Sequence, residues 1–137
     1  MKQKRGQIST EYLIVVGFIV FVVLTVLGIA MFYTNQIQET VKINQLEKAA
    51  RKIIFSAETT FYDGEPAKAT IEAYFPIGIE TISILNNEIV FNVSLSSGQN
   101  IISFPSSVPL QGALSKSSGL KKVQLTAKEG YVTITEI

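Results

Sequence analysis

The sequence contains no cysteine and no histidine, and these two absences exclude several classes of protein. Without cysteine the chain has no disulfide framework, no zinc finger and no thiol nucleophile. Without histidine it lacks the base of the usual catalytic triad and the commonest transition-metal ligand. Twelve basic residues against eleven acidic ones give a net charge of +1, which does not favour nucleic acid as a partner. We therefore expect no enzyme activity, no metal, no cofactor and no nucleic-acid partner.

Charged residues are scarce, and one run of the sequence accounts for this. Only 17% of the 137 residues are charged and 47% are hydrophobic, which is unusual for a small soluble domain. Sixteen of the twenty residues from Leu13 to Phe32 are Leu, Ile, Val, Phe or Met, and no charged residue lies between Glu11 and Glu39. Twenty helical residues span about 30 Å, the thickness of a bilayer core. The sequence therefore predicts a membrane-spanning helix over residues 12–33.

Residues 34–58 continue this helix with a different pattern. They contain no glycine and no proline, and charged residues alternate with apolar ones. The apolar positions recur at steps of three and four, which is typical of an amphipathic helix: Ile43, Leu46, Ala50, Ile53 and Ala57. We predict one continuous helix from Ser9 to Glu58, and we expect this stripe to pack against the domain formed by the residues that follow.

From residue 59 onward the hydrophobic period changes from 3.6 to 2. Alternating runs over 67–75, 82–84, 89–95, 101–104, 123–127 and 131–137 predict strands, with turns at Asn86-Asn87, 96–98 and 128–130. Residues 105–119 hold two prolines, two glycines and five serines, so they are predicted to be a loop. The fold class is therefore α+β, a long N-terminal helix with an antiparallel β domain of five or six strands over residues 59–137.

The first six residues form a basic leader. Met1 to Gly6 carries three positive charges and no negative one, as an export signal does. Three alternatives follow: an uncleaved membrane anchor, a secretory signal cut after the small-x-small triplet Gly28-Ile29-Ala30, or cleavage before the apolar run. The first two alternatives explain Ser9 and Glu11, because serine is a good N-cap and a carboxylate in the first turn suits the helix dipole. They leave Gln7 unexplained.

Residues 7–12 favour cleavage before the apolar run. They read Gln7-Ile8-Ser9-Thr10-Glu11-Tyr12 and fit the pattern Q-x-S-x-E-Y directly before the apolar segment. This resembles the class III signal peptide of archaeal type IV pilin-like proteins, and the order of leader, apolar helix, amphipathic helix and β domain is similar to theirs as well. The resemblance implies a type IV pilin-like fold and cleavage between Gly6 and Gln7 by a prepilin peptidase, with residues 1–6 removed. Archaeal flagellar filament subunits share the layout but usually differ in this motif.

The resemblance also implies how the chain would work. Gln7, Ser9, Glu11 and Tyr12 would serve processing and assembly, and Glu11 would be the fifth residue of the mature chain. The subunit would wait in the cell membrane with its N-terminus inside and its β domain outside. A pilus assembly ATPase and a membrane platform protein would then build it into a homo-oligomeric helical filament on the cell surface, where it would serve adhesion.

Asn92-Val93-Ser94 is an N-glycosylation sequon on a predicted strand, with Asn92 on the face opposite Phe91 and Val93. Lys121-Lys122 is too small a basic patch for nucleic acid. The alternative to a filament subunit is a second function class, a single-span membrane-anchored extracellular binding module that does not polymerise.

Overall fold

One helix, α1, occupies residues Lys4–Asp63 of the computed structural model, which describes residues 9–85, 87–96 and 98–137 in full and the backbone of residues 4–8. The predicted continuous helix is confirmed, but it extends further at both ends than Ser9 and Glu58, and Ser9 lies inside it. It ends where Gly64 adopts a φ of +78° and donates its N–H to the carbonyl of Phe61 at 3.1 Å. A glycine in this left-handed conformation is the usual stop signal of a helix.

Contacts divide the chain into two compact units, Met1–Gln38 and Glu39–Ile137. We call the second unit the head, and its described residues form seven strands. They are β1 (Lys68–Phe75), β2 (Ile79–Leu85), β3 (Glu88–Leu95), β4 (Gly98–Pro105), β5 (Leu110–Ala113), β6 (Gly119–Lys128) and β7 (Tyr131–Glu136). They form a four-stranded sheet in the order β1-β6-β7-β5 and a three-stranded sheet in the order β2-β3-β4. The α+β class is therefore confirmed.

The period-2 pattern correctly predicts which side chains of the strands face inward. In β3, Ile89, Phe91 and Val93 are buried, and in β1 the exposed and less exposed residues alternate from Lys68 onward. The hairpins β2–β3, β3–β4 and β6–β7 also form as predicted. Asn86 and Ser97, which belong to two of the predicted turns, lie outside the described residues.

Strand β5 corrects two predictions. It lies in the stretch 105–119 that was predicted to be a loop, and it pairs with β7 in parallel, so the sheet is not wholly antiparallel. The pairing places Gly112 opposite Ile134, with a φ of +135° at the glycine. A Cβ atom there would lie 2.0 Å from the Ile134 carbonyl oxygen, so only glycine lets β5 approach β7 this closely.

The core of the head lies between the second half of α1 and both sheets. The helix contributes the predicted stripe, in which Leu46, Ala50, Ile53 and Ala57 are buried and belong to one hydrophobic cluster with strand residues. Three phenylalanines contact one another here, with ring centroids 6.2 Å apart for Phe75 and Phe91, which are tilted, and 5.9 Å for Phe91 and Phe104, which meet edge to face. The head therefore holds its own apolar core without a disulfide.

Candidate functional site

The apolar segment of α1, Leu13 to Phe32, is the first candidate site. All its large hydrophobic side chains are exposed, from 38% at Val16 to 72% at Leu13. Among the described residues, α1 is the one helix long and apolar enough to cross a membrane. A contiguous apolar surface of this size on a water-soluble protein would be an interaction site by itself. The segment therefore needs lipid or other apolar helices around it.

Both ends of this segment carry amphipathic aromatic residues. Tyr12 precedes it, and Phe32 and Tyr33 end it with their rings in an edge-to-face contact of 6.2 Å. Tyrosine prefers the interface between membrane and water. Residues 12 to 33 of a helix rise by about 31 Å, so the two tyrosines match the two interfaces of a bilayer.

Hydroxyl groups in and beside the apolar segment are satisfied by the helix itself. Thr25 donates its Oγ1 hydrogen to the carbonyl of Phe21 at 2.8 Å, and Thr34 donates to Ala30 at 2.9 Å. A hydroxyl bonded in this way loses little when water is removed. The polar side chains here are thus compatible with an apolar environment.

The predicted processing residues lie at the start of α1. The backbone of Gly6 and Gln7 is helical, and the side chains of Ser9, Glu11 and Tyr12 are exposed. Among the described residues no ion pair includes Glu11. Its side chain is exposed at the start of the helix.

A polar cluster that the sequence analysis missed lies inside the head. Lys121, which the sequence analysis considered only as part of a small basic patch, has a side chain that is only 4% exposed. Its Nζ donates to the carbonyl and the Oγ of Ser115, the latter at 2.5 Å, and contacts the Glu136 carboxylate at 3.2 Å. The ammonium also lies 5.1 Å from the centre of the Phe75 ring. The signal for its burial was the alternation of β6, in which residues 121, 123, 125 and 127 face inward.

This cluster is suited to holding the chain together rather than to catalysis. A lysine beside a serine hydroxyl can act as a base, but Lys121 uses its three N–H donors on three acceptors. Glu136 also accepts the N–H of Ser115 at 2.9 Å. Burial raises the pKa of Glu136, but the hydrogen bonds from Ser115 and Lys121 outweigh it and lower the pKa below its ordinary value. The cluster ties the segment after β5 to the last strand.

Polar contacts also fasten the head part of α1 to the strands. Glu39 accepts the N–H of Ser96 at 2.6 Å, and Glu58 accepts the N–H of Ser107 at 2.9 Å. Hydrogen bonds from the Ser96 side chain and backbone lower the pKa of Glu39, helped by the charge of Lys42 and opposed by burial. Ser96 precedes β4 and Ser107 follows it, so the two contacts hold both ends of this strand against the helix.

The glycosylation candidate Asn92 lies at the centre of the three-stranded sheet, between Thr81 and Ile101. It is half-buried, on the face opposite the buried Phe91 and Val93. Its Oδ1 atom is buried and has no hydrogen-bond partner among the described residues. Glycosylation at this position stays a prediction. In the described part of the chain no group of three acidic side chains is arranged to hold a metal.

Comparisons with family models, with curated proteins and with solved structures find no match to this chain. What is established is a long N-terminal helix with an exposed apolar segment, followed by a two-sheet β domain, an architecture consistent with that of pilins.

Proposed function

We propose that this chain is the structural subunit of an archaeal type IV-like surface filament, cut between Gly6 and Gln7 by a prepilin peptidase. The observation that carries the proposal is the motif Gln7-Ile8-Ser9-Thr10-Glu11-Tyr12 placed directly before an exposed apolar helical segment. The leader carries three positive charges, and its removal leaves a chain that begins with a new α-amine and carries an excess of acidic residues.

The exposed apolar segment supports assembly as well as anchoring. An apolar helix that leaves the bilayer can avoid water only by packing against similar helices. Compared with exposure to water, this packing of sixteen large apolar side chains per subunit is favoured by many kcal/mol, at about 1.5–3 kcal/mol for each fully buried side chain. The head keeps its own core, so it does not need the apolar segment in order to stay folded.

Glu11 supports the choice of a filament over a plain anchor. The neighbouring Tyr12 keeps it at the water interface while the subunit is in the membrane, where its charge costs little. In a filament core the same carboxylate would lose its water and require a cation. The α-amine of Gln7 from another subunit is such a cation, and the pair would favour one axial register between neighbouring helices.

The substitution Glu11→Gln tests this role. We expect the variant to be inserted in the membrane and processed, but to form few or no filaments, because the carboxylate–amine pair is lost. Glu80→Gln, an exposed carboxylate on β2, is the matched control and should assemble normally. Membrane fractionation measures insertion, and electron microscopy of the cell surface measures filaments. Normal filaments from Glu11→Gln would contradict the proposed role.

The alternative function, a membrane-anchored extracellular binding module, predicts a different pattern in the same experiment. Such a protein would show no filaments in the wild type, and Glu11→Gln would change nothing. The adhesive role of the filament is part of the proposal and is tested by the attachment of cells with and without the chain.

A further inference from the structure

The glycosylation motif Asn92-Val93-Ser94 is a sequence feature that the proposed function leaves unused. It lies on β3, the central strand of the three-stranded sheet. Asn92 and Ser94 are two residues apart on the strand, so both side chains stand on the outer face of the sheet, opposite Phe91 and Val93. Asn92 is half-buried and Ser94 is exposed. The acceptor amide and the hydroxyl that the motif requires therefore lie on the same side of the sheet.

The two ends of the Asn92 amide lie in different surroundings. Its Oδ1 atom is buried and accepts no hydrogen bond from the described residues. Within the same residues Nδ2 donates no hydrogen bond and is not buried, so this nitrogen faces solvent. Turning the amide over would bury two N–H donors without acceptors, which folded proteins tolerate less often than a buried carbonyl. The atom to which a glycan is attached is thus the outer atom of the amide.

Packing does not explain an asparagine at this position. Asparagine is depleted in strands, and a buried oxygen without a hydrogen bond lowers stability. The cross-strand partners of Asn92 are Thr81 on β2 and Ile101 on β4, and both are residue types that favour strands. A threonine or a valine at position 92 would suit the sheet better. The amide group therefore indicates a role outside the fold.

The surface around Asn92 suits a neutral ligand rich in hydroxyl groups. Two rows of the outer face, one through Asn92 and the next one along β3, carry no charged side chain: Thr81-Asn92-Ile101 and Ser83-Val90-Ser103. Ile101 is apolar but 70% exposed. The Ser106 N–H bonds to the Asn87 carbonyl, and bonded pairs alternate from there along β3 and β4. Asn92 and Ile101 are therefore a non-hydrogen-bonded pair, the kind whose side chains lie closest together.

We propose that Asn92 carries an N-linked glycan whose first sugar lies over Ile101 and Thr81. A sugar has hydroxyl groups and an apolar ring face, so it covers both kinds of side chain. In the transfer, Nδ2 loses one proton and forms a bond to the anomeric carbon of the sugar. The bond between that carbon and the oxygen of a lipid-linked phosphate donor breaks, and the phosphate keeps the electron pair. The exporting cell supplies the donor and the transferase.

The position of the motif sets the order of events. Strand β3 pairs with β2 on one side and with β4 on the other, so a transferase cannot enclose Asn92 once the sheet has formed. The glycan is therefore attached while the exported head is still unfolded. Glycosylation rests on the export of the head, which the filament subunit and the membrane-anchored module share. It requires neither processing at Gly6 nor filament assembly, so its failure and the failure of the proposed function can be told apart.

The glycan also covers part of an unprotected edge of the sheet. Strand β4 is an edge strand of its sheet, and none of its eight residues, Gly98–Pro105, is charged. Charged residues and covering groups are the common devices that keep an edge strand from pairing with another chain. Because Ile101 lies on β4, a sugar over its side chain provides the cover that the missing charges do not.

Mass spectrometry of the full chain from its native cells tests the attachment. Cleavage after glutamate and lysine gives the peptide 89–116, in which Asn92-Val93-Ser94 is the one sequon. We expect a glycan on this peptide in the wild type and in Ser94→Thr, which preserves the motif. Ser94→Ala removes the motif but keeps Asn92 and the backbone bond to Gly78, and its peptide should have the mass of the bare sequence. A bare wild-type peptide, or a glycan that persists in Ser94→Ala, would overturn the proposal.

The absence of cysteine allows a direct test of where the sugar lies. Ile101→Cys and Ile77→Cys are prepared in the full chain and labelled with a maleimide, once with the intact motif and once with Ser94→Ala. Ile77 is the matched control, because it is 71% exposed and Ile101 is 70% exposed. The glycan should slow the labelling at position 101 several-fold and leave the labelling at position 77 unchanged. Equal rates at position 101 with and without the glycan would refute its placement over Ile101.

Discussion

Gly112→Ala tests how the head is closed, because this residue sets the distance between β5 and β7. The new Cβ would lie 2.0 Å from the Ile134 carbonyl oxygen and 2.9 Å from its carbon. Strand β5 would have to move by roughly 1.5 Å to reach van der Waals distance, which breaks its pairing with β7. It would also draw the fully buried Leu110 out of the core, and full burial of a leucine contributes about 1.5–3 kcal/mol.

The matched control is Gly119→Ala. Gly119 has a similar φ, +119° against +135°, but nothing lies within 4 Å of its added Cβ. Both variants carry the backbone strain of an alanine at positive φ, about 1–3 kcal/mol, so their difference isolates the close approach of β5. We expect Gly112→Ala to be less stable than Gly119→Ala by about 2 kcal/mol, or roughly 8–16 °C in unfolding temperature for a domain of this size.

Differential scanning calorimetry of the full chain in detergent measures this difference, because the head unfolds while the apolar segment stays in the micelle. Unfolding temperatures of the two variants within about 2 °C of each other would refute the reasoning, since the strand pairing would then not depend on the missing side chain.

The other predictions concern the apolar segment and the buried lysine. Val22→Arg should weaken membrane insertion by about 2.5–3.5 kcal/mol, whereas Val41→Arg, of similar exposure in the head, should not; membrane fractionation distinguishes them. Lys121→Met should destabilise the head by about 2 kcal/mol because it leaves Glu136 without its cation. The control Lys122→Met removes an exposed neighbouring lysine and should destabilise the head by less than about 0.5 kcal/mol, and calorimetry measures both values. Because the folded state lowers the pKa of Glu136, its carboxylate stabilises the head above the unfolded pKa, and this contribution is lost as the pH falls through the folded pKa. The gap in unfolding temperature between wild type and Glu136→Gln should therefore shrink from pH 7 to pH 3, and a constant gap would contradict this assignment.

The helix and most strands follow from local patterns in the sequence. The stripe around Ala50 and Ile53 faces the core because a step of three or four residues keeps to one side of a helix. The helix continues beyond Glu58 because nothing breaks it before Gly64, and Thr60 there is buried as well.

What the sequence did not predict depends on contacts between distant residues. Strand β5 has four residues, of which only Leu110 is buried, so it has no alternation to detect. It exists because β7 lies beside it and Gly112 allows the approach. The charge of Lys121 favours an exposed position, and only its place in the alternating pattern of β6 indicates that the side chain faces inward. The open edge of β4 is likewise a property of the strand order, which no local pattern reveals.

The first residue of the native protein, determined by mass spectrometry of the membrane and surface fractions, tests the central claim most directly. The account predicts a mature chain that begins at Gln7 and keeps the whole apolar segment. A chain that begins at Met1 would indicate an uncleaved anchor, and one that begins at Met31 would indicate a secreted β domain. Either of these two results would contradict processing as a filament subunit.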